Sequence, residues 1–291
     1  MTRLRYTIVD VFTEVKYAGN QLAVFRDVHD LSGELMQQIA REINYSETTF
    51  IRSDQPTDDG YDVRIFTPRE EVPFAGHPTI GTAHIIYEKI LQGKADSVTL
   101  KLKAGRIPVM RSRDGYLWMQ QIPPTFSTIH AAGELANVIG LGVDEIDAHY
   151  PIQEVSTGLP FFIVPLKHHS SLKNARIDKQ KYFDLIEHTT AKGILVFSPE
   201  THDPHNDLSV RVFVDYYGIP EDPATGSANG CLAGYLVRNR YLGQERVDCR
   251  VEQGREIGRP SILLLKAEQD GDNISVTVGG KSVIVAEGEF L

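Results

Sequence analysis

An α+β fold of two similar lobes, each a set of short strands around one apolar helix, is predicted by three features. The first is a repeat: residues 71–83 read EVPFAGHPTIGTA and residues 221–233 read EDPATGSANGCLA, sharing Glu71/Glu221, Pro73/Pro223, Gly76/Gly226 and Ala83/Ala233 at the same spacing. The second is what precedes each copy, a strand-like tetrapeptide, Val63-Arg64-Ile65-Phe66 in one and Val210-Arg211-Val212-Phe213 in the other. The third is the order around them: many short alternating segments and only one long apolar helix per half, which sheet would then surround.

The elements follow in order. Arg5–Phe12 alternates apolar and polar residues as a strand does, and Gln21–Phe25 is its partner across a turn at Ala18-Gly19-Asn20. Leu31–Ile43 carries a helical stripe at Leu35, Met36, Ile39 and Ile43, with Asp30 or Ser32 as cap. Glu47–Arg52 and Tyr61–Phe66 are strands, and His77–Leu91 is a helix with Pro78 at its first position, where a missing N–H costs nothing. Its buried stripe is Ile80, Ala83, Tyr87 and Ile90 or Leu91. Strand signals follow at 97–103, 106–111 and 116–121.

Pro123-Pro124 marks the lobe boundary, because two prolines cannot sit inside a sheet. The first lobe is therefore expected over 1–122 and the second over 125–279. In the second, strands at 151–156 and 160–166, a helix near 178–188 and strands at 193–198 and 208–214 repeat the earlier order. A glycine-opened helix covers 225–240, and strands at 246–252, 260–266, 273–278 and 282–286 close the chain.

Composition narrows the function. The 291 residues are 41% hydrophobic and 24% charged, as in a soluble globular protein with a sizeable core. A net charge of −9 argues against non-specific nucleic-acid binding, while an anionic small substrate remains compatible with local dipoles. No apolar run approaches the ~20 residues of a membrane helix, and MTRLRYTIVDVF lacks the apolar core of a signal peptide. Only Cys231 and Cys249 occur, neither in a CxxC, so a reducing cytoplasm is the simpler compartment.

Both repeated loops end at a helix N-terminus, where backbone N–H groups lack intrahelical partners and the dipole is positive. Small residues there (Ala75, Gly76; Ala224, Thr225, Gly226, Ser227) let a carboxylate or phosphate approach the backbone. Nearby polar side chains have two readings each. His77 caps the helix or reaches a ligand; Asp222 and Ser227 are caps or site residues; Glu47 is a solvated surface residue or an acid/base. Gly226-Ser227-Ala228-Asn229-Gly230 is not a G-x-S-x-G elbow, since its serine is misplaced. His202 and His205 flank Pro204, and His168-His169 are adjacent, so neither pair presents a metal site. Cys231 falls on an apolar helix face, a core position.

These residues also carry a resemblance. Gly19–Phe25 (GNQLAVF), Asn44–Phe50 (NYSETTF), Arg64–Pro68 (RIFTP), Phe74–Gly81 (FAGHPTIG), Glu221–Ala228 (EDPATGSA) and Glu252–Pro260 (EQGREIGRP) resemble, in order, the phenazine-biosynthesis PhzF-like proteins. The resemblance implies a diaminopimelate-epimerase-like fold: two lobes, each a β-barrel-like sheet around a central helix, with the active site in the cleft. It also implies that the last strand, about 280–291, returns to the first lobe, and that the protein is a homodimer. The implied activity is an isomerase that moves a proton within a small carboxylate-bearing substrate, with no metal and no organic cofactor. Glu47 matches the family's acid/base; His77, Asp222 and Ser227 match its other active-site residues. Gly76 and Gly226 lie in the anion loops, and Asn20 shapes the pocket or serves as scaffold. Racemising relatives use a cysteine from each loop, and here neither 71–83 nor 221–230 contains one, Cys231 lying past the loop. Two readings from other classes stand beside this one: a hydrolase using Ser227, His77 and an acid, and a non-catalytic small-molecule binder.

Overall fold

The computed structural model describes residues 3–58 and 60–291. The chain divides into two compact units, one holding residues up to Gln120 together with Gly279–Leu291, the other Gln121–Val278.

In the first unit, strand β1 (Leu4–Val11) pairs antiparallel with β2 (Asn20–Arg26). Helix α1 (Gly33–Ile43) then crosses over, so that β3 (Glu47–Ile51) runs parallel to β2. β4 (Tyr61–Phe66) is antiparallel to β3 and splits its free edge between the short β5 (Glu71–Val72) and β6 (Ser97–Leu102). β7 (Gly105–Arg111) and β8 (Leu117–Gln120) extend β6 as antiparallel neighbours. Helix α2 (Gly76–Ile85) enters between β5 and β6 in sequence and contacts β1, β2, β3, β6, β7 and β8.

The second unit repeats that wiring strand for strand. β9 (Thr125–His130), after which comes α3 (Ala132–Ile139), is antiparallel to β10 (Ile152–Ser156), and β10 is antiparallel to β11 (Pro160–Pro165). Helices α4 (His169–Asn174) and α5 (Lys179–Glu187) form the crossover to β12 (Gly193–Ser198), which is parallel to β11. β13 (Leu208–Val214) is antiparallel to β12 and again serves a short strand, β14 (Ile219–Asp222), and a parallel one, β15 (Arg246–Gln253). Helix α6 (Gly226–Arg238) lies between them in sequence and contacts β10, β11, β15 and β16 (Ser261–Asp270). After β17 (Asn273–Gly280), the last strand, β18 (Ser282–Phe290), pairs antiparallel with β1.

The α+β class and the sheet-wrapped helices expected from the sequence are what the structure contains. The buried stripe expected on α2 is too narrow: Ile80, Ala83 and Tyr87 are buried as expected, but so is every residue of α2 except His84, as is all of α6 up to Val237. A helix enclosed by strands has no polar face to spare. Amphipathic α1 packs on the outer sheet face instead, with Met36 and Ile39 against Phe25, Phe50 and Phe66. In the second unit α3 and α5 do the same, burying Leu135, Val138 and Tyr182 against Phe162 and Ile194.

α2 also starts earlier than expected. Gly76 is its first residue and Ala75 its N-cap, which puts His77 second and Pro78 third rather than first. The proline still lies among the first four residues, whose N–H groups have no intrahelical partner, so it costs no hydrogen bond. The helix continues as a π-helical turn over Ile86–Ile90.

Candidate active site

Two tight pieces of backbone bring the first set of side chains together. Gly19 adopts φ +66°, and a Cβ there would lie 2.3 Å from the Val11 carbonyl oxygen, so only glycine makes this turn and starts β2 at Asn20. α1 ends on Asn44 in the left-handed region, its N–H donating to the Ala40 carbonyl, and the chain reverses into β3 with Glu47 as first residue. The period of two along β3 sends Glu47 and Thr49 to the same face. There the Thr49 hydroxyl bonds that of Thr82 on α2 at 2.8 Å, and Glu47 Oε2 faces His77 Nε2 at 3.4 Å.

His77 is 4% exposed, and burial pushes its pKa down to about 3, opposed by a hydrogen bond with the Gln21 backbone. The ring is therefore neutral near pH 7. Asn20 Nδ2, which can only donate, lies 3.1 Å from His77 Nδ1. Nε2 is the ring nitrogen that faces Glu47. Glu47 itself retains 17% side-chain exposure, so this carboxylate touches both the neutral imidazole and solvent. Of the two readings of His77, the cap does not hold: Ala75 is the N-cap, and the His77 ring lies against Asn20 and Glu47.

The second set lies in the second unit. Asp222 ends β14 at 6% exposure, and its Oδ2 accepts the Thr225 hydroxyl. Thr225 is the N-cap of α6 but makes no side-chain cap, its hydroxyl being turned to Asp222. Gln253, at the end of β15, ties the loop down. Its Nε2 donates to the Asp222 carbonyl (2.7 Å) and Thr225 Oγ1 (3.1 Å), while its Oε1 accepts from the Thr225 N–H (3.2 Å) and Asn229 Nδ2 (2.8 Å). Gly226 opens α6, with its carbonyl accepting from Gln121 Nε2 at 3.0 Å. Ser227 follows at 9% exposure, in the helix position that His77 has in α2.

Glu47, His77, Asn20 and Gly76 thus form one constellation, and Asp222, Gly226 and Ser227 another. Gln121 and Asn229 belong with the second set and were not foreseen, and Thr225, expected only as a small residue of the loop, proves to be a hydrogen-bonding one; the sequence signal was the EQG block, which names Gln253 without its partners. Neither cysteine is a nucleophile of this arrangement. Both are buried, which pushes Cys231 up to about 11 and Cys249 up to about 12. His168 and His205 are exposed partners of Glu200 and Asp203.

The chain matches the model of the phenazine biosynthesis-like protein family over residues 9–288. It is 35% identical to the trans-2,3-dihydro-3-hydroxyanthranilate isomerase of Pseudomonas aeruginosa over 291 residues, 98% of either chain. Its structure is similar to that of a phenazine biosynthesis protein of the PhzF family from Bacillus anthracis, with a TM-score of 0.91 and 30% identity over the whole of both chains. A hydroxyproline epimerase from Agrobacterium vitis shares the fold at 10% identity, with a TM-score of 0.65 over the whole of this chain and 91% of the epimerase. The chain belongs to the PhzF-like phenazine biosynthesis family of isomerases.

Proposed function

We propose that the protein moves a proton between carbons of a small carboxylate-bearing substrate, with Glu47 as the acid/base. The observation that carries this reading is the Glu47–His77–Asn20 constellation. A half-buried carboxylate meets an imidazole whose charge is suppressed by burial and whose ring is held by Asn20. Such a histidine neither competes for the substrate proton at neutral pH nor neutralises the glutamate as a charged partner.

Removing a proton from carbon builds negative charge that must be met where it develops. In this reading the first turn of α2, opened by Gly76, meets an anionic group beside Glu47, His77 and Asn20, and the first turn of α6, opened by Gly226, offers the same kind of entrance beside Asp222 and Ser227. The Pseudomonas aeruginosa relative named above is a trans-2,3-dihydro-3-hydroxyanthranilate isomerase, and that compound carries a carboxylate, which makes it the first substrate to try. The family resemblance extends the reading to a homodimer in the cytoplasm.

The test is turnover of trans-2,3-dihydro-3-hydroxyanthranilate in D₂O. Deuterium incorporation is expected with the wild type, and a loss of roughly 10²–10⁴-fold with Glu47→Gln, the usual contribution of a positioned acid/base. Undiminished exchange by Glu47→Gln removes Glu47 from the chemistry.

A further inference from the structure

The loop that carries Asp222 is held by a network whose donors and acceptors can be assigned one by one. Two of its members are backbone groups with no choice of role. The Thr225 N–H can only donate, so the Gln253 atom it meets is the amide oxygen; the Asp222 carbonyl can only accept, so the atom it meets is the amide nitrogen. The Gln253 amide is thereby fixed. Its second N–H points to Thr225 Oγ1, which must accept it. A hydroxyl has one proton, and the remaining partner of Thr225 Oγ1 is Asp222 Oδ2, so the proton goes there. Asn229 Nδ2 holds the glutamine oxygen from below, donating also to the Thr225 carbonyl.

The first unit serves as an internal control, because the repeat supplies the same loop without this network. Val72 stands at the place of Asp222 and Ala75 at that of Thr225. The parallel pairs Asp62–Lys101 and Ser209–Glu252 put Leu102 at the place of Gln253. The strand–loop–helix frame therefore forms without the aspartate, the threonine and the glutamine; only Asn229 has a polar counterpart, Thr79, whose hydroxyl donates to the Ala75 carbonyl as Asn229 Nδ2 donates to that of Thr225. A buried glutamine beside a buried aspartate is not something this fold requires, and each such group carries a desolvation cost unless fully partnered.

We infer that Thr225 and Gln253 are positioning residues for Asp222: the glutamine amide sets the direction of the threonine hydroxyl, which keeps Asp222 Oδ2 an acceptor. This assignment rests on the reading of Asp222 as a partner in proton transfer.

The experiment follows the Asp222 carboxyl by ¹³C NMR across a pH titration, its resonance assigned with Asp222→Asn. In Thr225→Val the carboxylate loses a charge-assisted hydrogen bond, and its midpoint is expected to rise by about one pH unit. Thr225→Ser restores the hydroxyl and returns the midpoint to the wild-type value. Gln253→Met frees the hydroxyl to turn away, giving a partial rise, and combining it with Thr225→Val adds nothing further. If the glutamine variant does not fold, the valine and serine variants still decide. A midpoint unmoved by Thr225→Val, or not returned by serine, overturns the inference. Should the midpoints move as expected while Asp222→Asn turns over trans-2,3-dihydro-3-hydroxyanthranilate at the wild-type rate, the wiring stands and the functional reading is what fails.

Discussion

The two units share one scaffold and differ in the polar groups mounted on it. In each, an arginine two residues before a phenylalanine lies over that ring and forms a two-pronged ion pair with the glutamate that opens the repeat. Arg64 reaches Glu71 at 2.8 and 2.8 Å and lies over Phe66; Arg211 reaches Glu221 at 2.9 and 2.7 Å and lies over Phe213. This staple fixes the short strand ahead of each central helix, and it is the same in both halves. The residues around the helix entrances are not. Glu47 opens β3 where Gly193 opens β12, His77 stands in α2 where Ser227 stands in α6, and the Asp222 network has Val72, Ala75 and Leu102 opposite it. What the duplication preserved is mechanical; what it changed is what can carry a proton.

The preserved staples are not equally deep, which gives the largest expected effect on stability. The Arg211 and Glu221 side chains are 4% and 10% exposed, against 26% and 24% for Arg64 and Glu71. Arg211 Nη1 also donates to the carbonyls of Leu172 and Ala175, at 2.9 Å each, groups left over at the C-terminal end of α4. Arg211→Met should cost roughly 3–5 kcal/mol, since it strands a buried carboxylate and the helix carbonyls. Arg64→Met should cost on the order of 1–2 kcal/mol, because water can take over at Glu71. Urea midpoints at unchanged m-value measure both, and equal losses would show that burial does not distinguish the two staples.

That contrast also marks how much was legible in the sequence. Glu71, Glu221, Arg64 and Arg211 were visible as repeated letters, because a staple needs the same residue types at the same spacing in both copies. Glu47 became legible only through the NYSETTF block; as an isolated glutamate at the head of a strand it has no periodicity to betray it. The Gln253 network was illegible, because its members come from β14, α6 and β15, and hydrogen-bond direction between distant segments leaves no local pattern. α3 escaped notice for a simpler reason: its N-cap is Ala131, which makes no side-chain cap and gives no start signal.

The difference between His77 and Ser227 should appear in the pH dependence of stability. Above about pH 6.5 the imidazole is neutral in both folded and unfolded chains and contributes nothing. Below it the unfolded chain takes up a proton that the folded chain, with its value pushed down to about 3, refuses. Stability from this group therefore falls as pH drops from about 6.5 toward 3, by on the order of 2 kcal/mol at pH 5. In His77→Gln this component is absent, so the variant should gain on the wild type between pH 7 and pH 5. If the stability difference between the two proteins is the same at both values, the imidazole is not held neutral by burial. Ser227→Ala has no titrating group to lose and should show no such trend.

The smallest effects belong to the crossovers, whose helices begin alike but not identically. Ser32 caps α1 by accepting the Leu35 N–H at 3.2 Å, and Asp178 caps α5 by accepting the Lys181 N–H at 3.3 Å. Ser32→Ala should cost about 1 kcal/mol at any pH, because a hydroxyl does not titrate in the range. The Asp178 cap is charged, and the Lys181 backbone N–H holds its pKa below the usual carboxylate value of 3.8. Its contribution is present above that value and disappears as pH falls through the depressed one. Asp178→Ala should then destabilise at pH 7 and become neutral in strong acid, whereas the Ser32→Ala deficit persists there. Asp178→Asn keeps an uncharged cap and should flatten the profile. A parallel acid dependence for the Ser32 and Asp178 alanine variants would mean that the charge on Asp178 does nothing for α5, and that the two crossovers are capped by geometry alone.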